Sequence, residues 1–283
     1  MNDRQLSHLL AVTDRPDLIG TPYVIHEEIG RGGMGVVYSA EDTRLGRQVA
    51  LKVTTGNDQE ARVIAALEHP GIVPVHDAGT LPDGRLYYVM KLVRGEPLDQ
   101  FAQRQASVAG RIALFLKVCD AIEYAHSRGV IHRDLKPANI MAGAFGEVVI
   151  LDWGVAKTVS GDAGDVAGTP RYMAPEQSHG VADPRSDIYS LGAVLEAILP
   201  DDCPRPLHAI ILKAKSPKPE DRYPSASELA ADLNRYLDGS AVTAYRESVL
   251  ERLTRFARRN RTLLLLAGAF TMMRLVLFFW RGR

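Results

Sequence analysis

The hydrophobic pattern of this chain changes period once, near residues 93–95, and that change limits the folds open to it. Upstream, YVIHEEIG, VVYSAED and QVALKV within residues 23–53 are short runs rich in Val, Ile and Tyr, punctuated by glycine clusters, and read as strands. HPGIVPVHDAG and RLYYVMKLV suggest two more, joined by the turn Pro82-Asp83-Gly84. Between these groups, Ala61, Ile64, Ala65 and Leu67 have helical spacing, which predicts a helix over 58–68 with Asn57 or Asp58 as N-cap. Downstream, segments 97–104, 109–128, 186–199, 206–214 and 225–237 all carry the helical period. A strand-rich first third followed by a helical remainder is an α+β pattern, with two lobes meeting near residues 93–95.

Charge divides the chain in a second way. The formal net charge is zero, which points to no nucleic-acid partner. Residues 246–283, however, hold nine Arg against two Glu, a net of +7, and residues 1–245 carry the opposing −7. Within the basic tail, residues 263–280 read LLLLAGAFTMMRLVLFFW, interrupted only by Thr271 and Arg274. As a helix they would span about 27 Å, close to the roughly 30 Å hydrocarbon core of a bilayer. The Leu, Val and Phe residues outweigh the cost of Arg274, so a spanning helix is expected over 262–280, ahead of a docked or interfacial one. Before it, Val249, Leu250, Leu253, Phe256 and Ala257 share a helical face, with Arg246, Arg252, Arg255, Arg258 and Arg259 elsewhere. Segment 239–261 thus reads as a basic amphipathic juxtamembrane segment whose helix lies on anionic lipid, the alternative being a solvated helix packed on the body. Five arginines in 252–261 against two after the run place the body on the cytoplasmic side. With three residues after the run, no sensor domain is expected beyond it. Cys119 and Cys203 form neither a disulfide framework nor a zinc motif, and the N-terminus lacks an apolar signal-peptide core.

Several phosphate-handling features follow one another in order. Gly30, Gly32, Gly33 and Gly35 lie in GRGGMGVV between two predicted strands, where glycines let the backbone fold over a polyphosphate. A strand follows this loop where a dinucleotide fold would need a helix. Lys52 closes the strand VALK, and Glu60, in the first turn of the next helix, is the carboxylate that could hold it. His132-Arg133-Asp134-Leu135-Lys136-Pro137-Ala138-Asn139 groups an acid able to accept a hydroxyl proton, a lysine for a transferred phosphate and an amide oxygen for a cation. Asp152 then offers a carboxylate suited to Mg²⁺ after the apolar run 148–151. Phosphoryl transfer asks a protein mainly for positioning and charge neutralisation, and these groups supply both.

With Ala174-Pro175-Glu176 completing the set, the chain resembles the eukaryotic-like Ser/Thr protein kinases. GRGGMGVVY, HRDLKPANI and GTPRYMAPEQ look most like the bacterial branch, and the resemblance covers about residues 21–238. It implies a two-lobed kinase fold with a β-rich N-lobe over 21–93, after an extension over 1–20, and a helical C-lobe over 94–238, followed by the C-terminal apolar helix. It further implies that Lys52 contacts ATP phosphates and pairs with Glu60. Asp134 would be the catalytic base, with Lys136 supporting the γ-phosphate and Asn139 and Asp152 holding Mg²⁺, or alternatively Mn²⁺. Met90 matches the gatekeeper and Lys91, Leu92 and Val93 the hinge, while Val37, Ala50 and Met141 match positions that sandwich adenine. Ile64, Val75, His132 and Trp153 match the stacked apolar column of active kinases. Asp187 matches the anchor of that column, and Glu176 should pair with Arg222. Lys136-Pro137 has the Ser/Thr-specific form.

Three departures from the family stand out. Trp153 replaces the usual Phe and is expected to pack inward all the same. Only seven residues separate Lys52 from Glu60, leaving little slack, so the pair should hold without an activator. After Asp187, SLGAVLEAILPDDCPRPLHAIILKA runs almost directly from one helix into another, shortening the region that docks substrates and putting apolar surface within reach of a membrane or partner. Arg133 implies neutralisation by a phosphate on the segment 152–176, with Thr158 or Ser160 the better candidates and Thr169 more often structural; Asp162 or Asp165 could serve instead. The expected activity is transfer of the ATP γ-phosphate to protein Ser/Thr hydroxyls at a bacterial inner membrane, with a second copy of the chain a candidate partner. The alternatives are a membrane-tethered pseudokinase that only binds ATP and a small-molecule kinase of related fold.

Overall fold

The computed structural model describes residues 15–32, 35–54, 59–105, 107–153, 157–158 and 169–281. Strands β1 (Tyr23–Gly32), β2 (Gly35–Asp42), β3 (Arg47–Thr54), β4 (Val75–Thr80) and β5 (Leu86–Lys91) form one antiparallel sheet in the order β1-β2-β3-β5-β4. Strand alternation divides its two faces. Tyr38, Ala40, Val49, Leu51, Val53, Tyr87 and Val89 join one apolar cluster. Between them, Val37, Ala50, Lys52, Tyr88 and Met90 line the opposite, cleft side. Register places Val37 and Tyr88 on either side of Lys52, and Met90 beside Ala50.

Helix α1 (Gln59–Ala65) is shorter than the predicted 58–68. Its last turn tightens, with Leu67 N–H bonding to Ile64 O at 2.9 Å, and Pro70 disfavours helical backbone at His69. The predicted run from His69 becomes a strand only at Val75, because Pro70 and Pro74 cannot donate to a ladder; Ile72 makes a single parallel bridge to Ile150.

Beyond the sheet lie α2 (Leu98–Gln103) and α3 (Val108–Ser127), the latter capped by Ser107, whose hydroxyl accepts the Gly110 N–H at 3.1 Å. Short strands β6 (Glu96–Pro97), β7 (Val130–Ile131), β8 (Ile140–Ala142), β9 (Val148–Ile150) and β10 (Lys157–Thr158) form two small sheets, β6-β8-β9 and β10-β7. Helix α4 (Pro184–Ile198) buries ten of its fifteen residues and opens with a capping box between Asp183 and Ser186. It runs through residues 199–204 into α5 (Arg205–Ala214), so the connection is as short as the sequence predicts. At Gly192 an added Cβ would meet the Ala214 Cβ at 2.8 Å, so glycine lets α4 and α5 approach closely. Helix α6 (Ala226–Leu237) closes the lobe.

The chain then turns back onto this lobe. Fully buried Asp232 in α6 accepts the Thr243 N–H at 2.6 Å, the Thr243 hydroxyl at 2.8 Å and the Ala244 N–H at 3.0 Å, besides the Tyr223 hydroxyl at 2.8 Å. Val242 is buried against the main core, so 240–245 belongs physically to the helical lobe. Helices α7 (Val249–Arg259) and α8 (Arg261–Arg281) follow, with Val249, Leu250, Leu253 and Phe256 of α7 at least 59% exposed. Side chains at 275, 276, 278 and 279 lie outside the described residues, and among the described residues no helix is long and apolar enough to cross a membrane.

Candidate active site

A cleft of about 780 Å³ opens between the sheet and the helical lobe. Of the predicted nucleotide contacts, Gly30, Gly32, Gly35, Val37, Ala50, Lys52, Met90, Lys91 and Val93 line it, as do Asp134, Lys136, Asn139, Asp152 and Thr169. Gly33 lies outside the described residues. Met141, in β8, is not among the lining residues, and Leu151 occupies the wall instead. Leu92 of the expected hinge lines it too, and Ile29 and Tyr88 do so without having been singled out in the sequence. The alternation of RLYYVMK placed Tyr88 on the same face as Met90, and that signal could have found it. Gly35 has φ 134°, and a Cβ there would collide with the Val53 carbonyl, so only glycine fits where β2 begins beneath the loop.

On the sheet side, Lys52 Nζ donates to both Glu60 oxygens at 2.8 and 2.9 Å and to Asp152 Oδ1 at 3.1 Å. Lys52 and Glu60 are buried, while the Asp152 side chain keeps 45% of its surface open to the cleft. Burial alone would depress the Lys52 ammonium; the Glu60 and Asp152 carboxylates more than offset it and hold the group above its usual value.

On the helical side, Asp134 Oδ2 accepts Lys136 Nζ at 2.7 Å, and Asp134 Oδ1 accepts the Thr169 N–H and hydroxyl at 2.8 and 2.9 Å. Asn139 Nδ2 donates to the Asp134 carbonyl at 2.9 Å, which leaves its amide oxygen for another partner. Arg133 and Asp152 hold left-handed backbone at φ 72° and 54°, a conformation that costs a non-glycine residue roughly 1–3 kcal/mol and clusters at functional sites.

Buried Asp187 holds this loop from below, accepting the backbone N–H groups of His132 and Arg133 at 2.8 and 2.9 Å and facing His126 Nε2 at 2.8 Å. Burial would raise its pKa, but the bond with His126, the nearby histidines and the Arg133 N–H bring it below the usual carboxylate value. His132 Nδ1 accepts the Asp134 N–H, so Nε2 carries the proton and donates to Leu151 O at 3.1 Å. Trp153 is fully buried against His132, ring centroids 4.6 Å apart, and so packs inward. Its indole N–H has no hydrogen-bond partner among the described residues, at a cost of about 1–3 kcal/mol that burial of the ring offsets. Ile64 lies in the same core, with Val75 packed against it.

Glu176 and Arg222 form a two-point ion pair at 2.6 and 2.8 Å, with Ser186 Oγ donating to Glu176 Oε1 at 2.8 Å. Thr158 is described only as backbone, in β10 paired with β7, and Ser160, Asp162 and Asp165 lie outside the described residues. Among the described residues no cluster of three or more His, Cys, Asp or Glu forms a metal cage. The hard-oxygen pair of Asp152 and Asn139 is instead the sparse kind that a small divalent cation completes with phosphate and water.

The sequence profile described as "Protein kinase domain" matches residues 23–232. Serine/threonine-protein kinase PknB of Mycolicibacterium smegmatis is 35% identical over 282 aligned residues, which cover 81% of this chain and 45% of that protein. Serine/threonine-protein kinase PknD of Chlamydia caviae is 35% identical over 292 aligned residues, covering 77% of this chain and 31% of that protein. A probable serine/threonine-protein kinase of Streptomyces coelicolor is 34% identical, covering 82% of this chain and 42% of that protein. The chain thus spans less than half the length of these curated relatives.

Proposed function

The chain belongs to the protein kinase domain family, and on that premise we propose that it transfers the γ-phosphate of ATP to Ser or Thr hydroxyls of proteins. The observation that carries the reading is the convergence of two charge networks on one cleft, Lys52–Glu60–Asp152 from the sheet side and Asp134–Lys136–Thr169 from the helical side. Adenine would lie between Val37 and Ala50 above and Leu151 below, against the backbone of Lys91, Leu92 and Val93. Lys52, held by Glu60, neutralises phosphate oxygens, and the glycines of the loop bring backbone N–H groups over them. Asp134 orients the attacking hydroxyl and takes its proton, and Lys136 steadies the phosphate in transit. Mg²⁺ held by Asp152 and Asn139 would supply the charge that draws the β- and γ-phosphates together, and Mn²⁺ offers the same donor preference. Thr158 and Ser160 remain the proposed phosphosites.

We further infer membrane attachment through the C-terminus. Helix α8 has 21 residues, about 32 Å at 1.5 Å per residue, and its Leu263, Leu264, Leu265, Leu266 and Phe270 are exposed. The exposed apolar face of α7, flanked by arginines, suits an anionic surface, with the kinase body on the cytoplasmic side.

A chain ending at 245, given labelled ATP, Mg²⁺ and a generic protein substrate, should incorporate label, and Asp134→Asn should abolish transfer while leaving nucleotide binding. ATP binding without transfer by the wild type would replace this reading with that of a pseudokinase.

A further inference from the structure

Tyr88 lies opposite Lys52 in the β3–β5 ladder and is 2% exposed. Its neighbour Tyr87 points to the other face of the sheet, where it meets Tyr23 edge-on at 6.2 Å. The alternation of β5 therefore sets a phenol into the inner wall of the cleft, behind the lysine. The Lys52 ammonium sits 5.8 Å from the Tyr88 ring centroid, within cation–π range. After burial itself, the Glu60 carboxylate is the group that acts most strongly on the Tyr88 hydroxyl. Burial and the negative charges of Glu60 and Asp152 raise its pKa, so it stays a protonated donor across the working range.

Resting on the reading of the cleft as an ATP site, we propose that Tyr88 is a positioning residue for the Lys52–Glu60 pair, its ring backing the ammonium and its hydroxyl fixing the carboxylate. The physical need is clear from the pair itself. A buried ion pair is useful only when its remaining lone pairs are satisfied, and Lys52 uses just one on each Glu60 oxygen. A neutral donor can take another without competing for charge, since an ionised carboxylate offers about four acceptor sites. Glu60 sits on a helix of only seven residues, whereas Tyr88 is borne by a central strand with neighbours on both sides. The rigid strand thereby steadies the short helix at the atom where orientation matters. Tyr88 acts on Lys52 and Glu60 and is not assigned any contact with the transferred phosphate.

The test is Tyr88→Phe in the full chain purified in detergent, with steady-state kinetics and binding of a fluorescent ATP analogue measured in parallel. The expected result is a rise of about three- to tenfold in KM for ATP and in the analogue Kd, the size of one lost hydrogen bond to a charged group. kcat should stay within about twofold and the unfolding midpoint nearly unchanged, a split that a merely structural role would not produce. In a Glu60→Gln background the same substitution should have little further effect, because the carboxylate it steadies is gone. Tyr88→Met, which removes the ring as well, should weaken nucleotide binding at least as much. Unchanged nucleotide affinity in Tyr88→Phe, or an equal loss in the Glu60→Gln background, would overturn the proposal. A wild type that binds the analogue but transfers nothing would defeat the kinase reading alone, and the binding measurements would still decide the role of Tyr88.

Discussion

Thr169 gives both its backbone N–H and its hydroxyl to one oxygen of Asp134, at 2.8 and 2.9 Å, while the same hydroxyl accepts Lys136 Nζ at 2.9 Å. The threonine thus ties the proposed base to the proposed phosphate-steadying lysine. Thr169→Ala removes two hydrogen bonds to charged groups and should lower phosphate transfer about 10- to 100-fold. Thr169→Ser should recover most of the rate, and nucleotide affinity should change little in either variant. Single-turnover kinetics with an equilibrium binding measurement would check both.

The Glu176–Arg222 pair predicts a stability effect. The Arg222 side chain is fully buried, so Glu176→Ala strands an uncompensated guanidinium. Breaking such a pair costs about 3–5 kcal/mol, visible as a clear fall in the denaturant midpoint. Replacing Arg222 by Met in the same chain should recover part of that loss.

Acid should destabilise the protein through three carboxylates. Glu176, Asp187 and Asp232 all lie below their ordinary values of 4.5, 3.8 and 3.8, each because hydrogen bonds to the charged form outweigh burial. Their folded pKa values being depressed, the stability they contribute is complete above the ordinary values and is lost as pH falls through the folded ones. Melting temperature should therefore be flat near neutral pH and drop below about pH 4.5. Glu176→Gln should make the drop shallower. A melting temperature indifferent to acid would contradict this assignment.

Asp232 makes the segment 240–245 part of the folded lobe. A chain ending at 238 should be less stable than one ending at 245, because the buried Val242 and the Thr243 and Ala244 bonds are lost. Asp232→Asn should lower hydrogen-exchange protection at Thr243 and Ala244 first. Comparing the two chain lengths by thermal unfolding separates this from a passive tail.

The basic tail should recognise anionic lipid. A chain ending at 261 should sediment with anionic vesicles, release as salt rises and ignore neutral ones, whereas a chain ending at 245 should bind neither. Leu253→Glu with Phe256→Glu should abolish binding, since both residues are about 60% exposed on α7.

The polar groups that line the cleft were legible because each occupies a fixed offset on an element whose period is strong. The helices around Leu114, Leu191 and Leu229 matched their predicted spans closely for the same reason. The end of α1 and the late start of β4 were misjudged where Pro70 and Pro74 override an apolar pattern. Tyr88 and Leu151 escaped notice because aromatic and aliphatic residues in strands ordinarily mean core, and only the register shows which face the cleft. The docking of Val242 and Thr243 was invisible for a different reason. It depends on a single buried acid, Asp232, meeting backbone donors eleven and twelve residues away, and no periodicity encodes such a contact.

The inward seat of Trp153 has an experimental consequence. The chain holds two tryptophans, Trp153 at 0% exposure and Trp280 at 78%. A chain ending at 245 retains just the first, an indole in van der Waals reach of the loop that carries Asp134. Its tryptophan fluorescence then comes from one place in the molecule, beside the loop that forms one wall of the cleft. Stopped-flow emission could follow the filling of the cleft in real time, with no dye attached and no background from Trp280.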